Sequence, residues 1–217
     1  MNEQEGVIKY RLNHKNLLIN ENISITNITI WRSILFDLNL IGQSQDRYNG
    51  YGFGNISQRL ITDNDDQNQF LISGTQTGAT KFLSRQQYCQ VLEAYPHQNE
   101  LYSAGEIEPS SESLTHSSIY QQNLNTQSII HIHCPEIWNN TQALNLPYTS
   151  ANIEYGTPEM AKEVERLLGT LKHHRKGIFS MLGHTDGIIA FSDAMDKTAN
   201  LIISYYAKSL ELGRRKI

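Results

Sequence analysis

Cysteine is scarce. Two of them, Cys89 and Cys134, in 217 residues are too few for a disulfide framework. That excludes the small disulfide-stapled class and sets a reducing cytoplasm as the expected location. Long apolar runs are also missing. No stretch approaches the ~20 residues of a membrane span, and the start, Met1-Asn2-Glu3-Gln4-Glu5, is acidic where a secretory signal is basic and then apolar. Nor is there an excess of positive charge. Lys and Arg number 18 against 22 Asp and Glu, for a net charge of −4. The electrostatic footprint of a nucleic-acid-binding domain is therefore absent. Arg214-Arg215-Lys216 reads as charge matching at a helix C-terminus. No linker rich in Pro, Gly or Ser divides the chain, and no repeat recurs. Residues 1–217 read as one domain, with 1–25 as an N-terminal extension. An apolar fraction of 39%, with abundant Asn and Gln, suits a polar surface.

What is present is a mixture of helices and short strands. Thr26 or Asn27 caps a helix to about residue 41, with Ile30, Ile34, Leu38 and Ile41 at helical spacing and Gly42 as its stop. Residues 43–54 form a polar, Gly-rich loop, and 55–62 and 70–72 form a hairpin around the turn Asp63–Asn68. Ser84 caps a further helix to about Ala94, and Leu101–Ala104 is a strand. Helices are expected from Ser113 to Asn123, from Thr157-Pro158-Glu159 to Leu171, and from Asp193 to Leu212, the last with Ile202, Tyr205 or Tyr206, and Leu210 inward. Strand 128–134 lies between, and 178–182 with 187–191 make a hairpin. Few βαβ units are evident, so the sheet is expected to be antiparallel or mixed and layered with helices.

The densest chemistry is His131-Ile132-His133. On a strand, residues two apart share a face, so both imidazoles point one way while Ile130 and Ile132 point the other. A lone strand His is commonly a core or surface residue, whereas two together form half of a transition-metal site. Cys134 falls on the opposite face and reads as a small buried residue. A catalytic zinc usually takes three protein ligands. His184, in a turn between Gly183 and Gly187, is the candidate third; His173 and His174 lie in a charged loop and rank behind it. Ser110-Ser111-Glu112 stands at a helix start, where unpaired N–H groups attract anions, although local sequence alone says only a capped helix. Gly54-Asn55-Ile56-Ser57 and Ser73-Gly74-Thr75-Gln76-Thr77-Gly78 put Gly beside hydroxyl or amide donors at strand ends. Each alone is a turn, and neither is a nucleotide fingerprint.

Taken in order, Gly54-Asn55-Ile56-Ser57, Ser73-Gly74, Ser110-Ser111-Glu112, His131-x-His133 and His184 resemble the class II (zinc-dependent) aldolase/adducin family. The resemblance runs from about Trp31 to about Leu210. It implies an α/β fold of three layers, αβα, with a central, largely antiparallel or mixed sheet. It implies Zn2+, or Mn2+, Fe2+ or Co2+, on His131, His133 and His184, with Glu112 as acid/base. Gly54, Asn55, Ser73, Gly74, Ser110 and Ser111 would then form the phosphate cradle. The implied reaction is aldolase-type cleavage of a small phosphorylated sugar or hydroxy-keto substrate through a metal-stabilised enediolate, in a homotetramer without nucleic-acid or membrane partners. Epimerisation, dehydration or decarboxylation on the same site, or a non-catalytic adducin-like assembly role, are the alternatives. The 4-epimerase members carry Asp where this chain has Glu112. Between His133 and His184 the chain is shorter than typical family aldolases, and Thr185-Asp186 follows the third His where Gly is usual. Asp186 is either a turn residue or a partner of an imidazole. The proton donor opposite Glu112 has no assignment, with Tyr148 and Tyr155 as candidates.

Overall fold

The protein is described from a computed structural model covering residues 6–61, 68–170 and 176–214. Its organising element is strand β8 (Ser128–His133), buried at every position. Two antiparallel neighbours flank it, β4 (Asn55–Arg59) and β11 (Gly187–Ser192). Beyond β4 lie β5 (Phe70–Ser73), β6 (Tyr88–Tyr95), β7 (Glu100–Gly105) and, at the edge, β1 (Arg11–Asn16). Beyond β11 lie β10 (Lys176–Met181) and the two-residue β9 (Tyr148–Thr149). The sheet is mixed: β1 runs parallel to β7 and β9 parallel to β10, and the remaining pairs are antiparallel. A small hairpin, β2 (Gly42–Gln43) with β3 (Gly52–Phe53), lies within the expected Gly-rich loop.

Helices cover both faces. Strand alternation sends Ile130 and Ile132 of β8 into one cluster, with Ile56, Ile188 and Ala190. Helices α1 (Thr26–Asp37), α3 (Pro135–Trp138) and α5 (Met195–Arg214) close over it. Each fully buried Ile contributes roughly 1.5–3 kcal/mol. Cys134 packs in this cluster, as its strand parity requires. Ile129, Ile189 and Phe191 enter the opposite cluster under α2 (Ser113–Gln122) and α4 (Pro158–Thr170). Three layers, αβα, with a mixed sheet are thus present as expected.

Several local expectations need correction. Ser84 does begin a capping box with Gln87, but the helix is one 3-10 turn, and residues 88–95 are strand β6. Tyr88, Cys89 and Val91 are buried there between β5 and β7, so sheet pairing overrides the cap signal. Helix α1 stops at Asp37, with Asn39 at φ 55 just beyond it. It buries Ile28, Arg32 and Leu35 and leaves Ile30 and Ile34 exposed. Its Ncap is Ile25, without a side-chain cap. Leu210 is exposed on α5. Thr157 caps α4 as expected, its hydroxyl accepting from the Met160 N–H. The Asp63–Asn68 turn falls largely, and His173, His174, Arg215 and Lys216 wholly, outside the described residues.

Candidate metal centre and substrate cleft

Strand β8 aims His131 and His133 at the α2 side of the sheet, and the β10–β11 turn brings His184 over them. The three imidazoles offer nitrogen atoms all within 4.8 Å of one another. Ring centroids stand 4.9 Å apart for His131–His133, 5.2 Å for His131–His184 and 4.8 Å for His133–His184. Their approach depends on Gly187: a Cβ there would sit 2.7 Å from the His184 ring and 3.3 Å from the His131 ring. All three rings are buried. Burial first, and then the neighbouring imidazoles, hold His131 and His133 well below the usual His range, so both are neutral.

The donor set fits a cation. The His131 Nδ1 lies 3.2 Å from the Ile188 carbonyl, which makes it the N–H donor and leaves Nε2 as a lone pair. That Nε2 lies 3.1 Å from the Nε2 of His133. A neutral His133 can donate its Nε2–H to that lone pair, and a metal ion held by both rings would take the place of this proton. Glu112 sits at the N-terminus of α2, 2% exposed, with Oε1 3.9 Å from His184 Nε2.

A narrow cleft leads away from His131. Gly54, Asn55, Gly74, Ser110, Ser111 and Glu112 line it, so the structure gathers these expected residues from three separate segments. Gly54 is at φ +73, and a Cβ would meet Ile41 at 2.9 Å. The Asn55 side-chain oxygen is buried and has no hydrogen-bond partner among the described residues. Ser73 is the exception: it does not line the cleft, and its hydroxyl accepts from the Ile56 N–H at 3.2 Å. Tyr148 is exposed on β9, whereas the Tyr155 ring packs 4.5 Å from the His184 ring. A larger hollow of about 440 Å³ beside Tyr95 and Gln121 carries no converging metal-ligand set among the described residues.

The turn Thr75–Gly78, which the sequence groups with Ser73-Gly74, also lines the cleft, together with Gly6 and Gly52, which the sequence does not single out. That turn is braced from below by Arg32, 1% exposed, which donates to the carbonyls of Thr77 at 2.9 Å, Thr80 at 2.5 Å and Lys81 at 3.0 Å. Behind His133, the Tyr48 ring lies edge-on at 4.7 Å, and its hydroxyl donates to Asp186 at 2.7 Å. Burial and that acceptor raise the Tyr48 pKa, so the phenol keeps its proton. Arg47 donates to the Tyr48 hydroxyl and to the His133 carbonyl. Asp186 therefore acts through Tyr48 against the rear of His133. Deeper in, the Ser57 hydroxyl lies 2.8 Å from both His116 Nδ1 and the Tyr120 hydroxyl, tying β4 to α2 one turn beyond Glu112.

The sequence profile described as the Class II Aldolase and Adducin N-terminal domain matches residues 43–207. No curated protein sequence matches. Among solved structures, an L-fuculose-1-phosphate aldolase from Thermus thermophilus is similar at 19% identity, covering 88% of this chain and 93% of its own, with a TM-score of 0.61. A sugar-phosphate aldolase from Thermotoga maritima is similar at 15% identity, with the same coverages and a TM-score of 0.66. At these identities the likeness shows the fold.

Proposed function

The chain belongs to the class II aldolase and adducin family, and on that premise we propose that it is a metal-dependent lyase of the aldolase type, acting on a small sugar phosphate or related hydroxy-keto compound. The observation that carries the reading is the convergence of three buried imidazoles within 4.8 Å, with the Glu112 carboxylate beside them. His131, His133 and His184 would hold a divalent ion such as Zn2+, Mn2+, Fe2+ or Co2+; three imidazoles do not select strongly among these. When bound, that ion supplies Lewis-acid polarisation of the substrate's carbonyl and hydroxyl oxygens.

The chain's own groups do the rest. Glu112 takes and returns a proton at the substrate carbon or hydroxyl next to the carbonyl. Ser110, Ser111, Asn55 and the turn around Gly74 supply donors for a phosphate at the far end of the cleft, which orients the bond to be broken. Burial of Glu112 and of the imidazoles keeps bulk water from that bond. Retention of all three His and of Glu112 favours chemistry over a purely structural assembly role. We assign the protein to the cytoplasm and to a homotetramer as part of the same reading; among the described residues no helix is long and apolar enough to cross a membrane.

Metal analysis of purified protein tests the core of this. Wild type is expected to hold ~1 equivalent of divalent metal per chain and His131→Ala close to none. A wild type that binds no divalent ion refutes the enzyme reading. A screen of sugar phosphates against metal-loaded protein, with product analysis, then identifies the reaction.

A further inference from the structure

A buried polar row runs under the cleft from Asn55. Asn55 pairs with His131 across β4 and β8, which puts it on the α2 side of the sheet, and Ser57 shares that face two residues on. From the start of α2, Glu112, His116 and Tyr120 recur every four residues and share one face. Four helical residues rise about 6 Å and two strand residues about 7 Å, so the two rows keep step. Glu112 and Asn55 line the cleft together, His116 meets Ser57, and Arg59 donates to the Tyr120 carbonyl at 2.8 Å.

The hydrogens of this network can be assigned. The Ser57 hydroxyl has one hydrogen and two partners, His116 Nδ1 and the Tyr120 hydroxyl, each at 2.8 Å. Among the described residues the Tyr120 hydroxyl meets no other acceptor, so it donates to Ser57. Ser57 then donates to His116 Nδ1. Burial holds that ring neutral, and its single hydrogen is therefore on Nε2. Every other arrangement strands a hydroxyl hydrogen in the interior.

His116 Nε2 is buried and has no hydrogen-bond partner among the described residues. Helical side chains lean toward the helix N-terminus, which carries this ring from Ser57 toward Asn55. The Asn55 side-chain oxygen is the matching group, a buried acceptor also without a partner among the described residues. Glu112, the other acceptor at that end of the row, already faces His184.

We propose that His116 is a positioning residue for the cleft: its Nε2–H holds the Asn55 side-chain oxygen, and so presents the Asn55 amide nitrogen to the ligand as a donor. The two atoms stand unjoined in this structure, and a turn of the Asn55 side chain closes the contact. Without that hold the amide can present its oxygen instead, which repels an anion. The assignment rests on reading the cleft as the substrate site.

The first test uses the unaltered protein. Nitrogen NMR of His116 is expected to show a protonated Nε2 and a bare Nδ1; the reverse overturns the proposal. Two substitutions follow. His116→Gln carries an amide N–H close to where Nε2 stood, whereas His116→Asn ends near the Nδ1 position. The Asn55 side-chain amide signal should stay near its wild-type position in the first and shift in the second, and a signal indifferent to both overturns the proposal. Titration with inorganic phosphate reads the consequence. His116→Asn should weaken phosphate binding about tenfold, the worth of one hydrogen bond, and His116→Gln about twofold or less. With Asn55→Ala already in place, His116→Asn should cost little more. Equal losses with and without Asn55 would make His116 a structural residue only. A wild type that does not bind phosphate overturns the phosphate reading of the cleft, while the tautomer and the Asn55 signal still decide the role of His116.

Discussion

Replacing Glu112 with Gln separates chemistry from architecture. Gln keeps the outline of the side chain and one carbonyl oxygen, but loses the charge and the ability to take up a proton. Glu112 is 2% exposed and lies 3.9 Å from His184 Nε2. An ionised carboxylate at such a place costs several kcal/mol of desolvation before its partners repay it. A neutral amide of equal volume should therefore leave stability within about 1 kcal/mol of wild type, which is a shift in Tm of a few degrees at most. Turnover should behave differently. A positioned acid/base contributes about a hundred- to ten-thousandfold, so the barrier should rise by about 3–5 kcal/mol. The assay is kcat/KM on a sugar phosphate found by screening, with metal content and Tm measured on the same samples. Unchanged turnover with metal bound refutes the role given to Glu112. A large fall in Tm with lost metal would make it a structural residue instead.

Other outcomes follow from the same geometry. Burial lowers the His116 pKa to about 3 from an ordinary 6.5, so between those values the unfolded chain binds a proton that the folded chain refuses. Its contribution to stability is present above pH 6.5 and is lost as pH falls; at pH 5 the loss is about 2 kcal/mol. Metal-free wild type should thus lose stability between pH 7 and 5 more steeply than His116→Asn, and parallel pH–Tm curves would contradict this. Arg32→Met removes the guanidinium from the carbonyls of residues 77, 80 and 81, of which that of Thr77 keeps the Thr80 N–H at 3.1 Å, and should cost about 3 kcal/mol in urea unfolding; a loss below about 1 kcal/mol would mean the turn does not need the brace. Asn55→Ala should raise KM about tenfold for a phosphorylated substrate and little for its unphosphorylated analogue, with kcat nearly unchanged. Equal effects on the two substrates would remove the phosphate from the cleft.

The central strands and the metal ligands could be read from sequence because they obey short-range rules. Ile130–His133 alternates Ile and His with period two, and that alone puts both imidazoles on one face. Thr157-Pro158-Glu159 states a helix start in three residues, and the helix is there. The failures share a different cause. Strand β1, Arg11-Leu12-Asn13-His14-Lys15-Asn16, shows no apolar alternation, and its pairing with β7 comes from a partner far along the chain. The segment after Ser84 carries a genuine capping box, and nothing local says that the helix lasts a single turn. On α1 both Ile28/Leu35 and Ile30/Ile34 recur at helical spacing, and only the sheet decides which face is buried. Tyr48 and Asp186 are separated by 138 residues, so their contact behind His133 has no sequence signature. Gly6, a single Gly in a polar segment, gave no hint of the cleft it reaches.

The polarity that hides β1 from sequence reading has a use of its own. A nine-stranded sheet has two open margins, where free N–H and C=O groups invite another chain to dock. At one margin β9 is only two residues long, too short to template anything. At the other, β1 carries exposed Arg11, Asn13 and Lys15, the first two also bound to Glu100 of β7. Charge along such a border disfavours the addition of another backbone, so the residues that hide β1 from a pattern search also blunt the margin of the sheet.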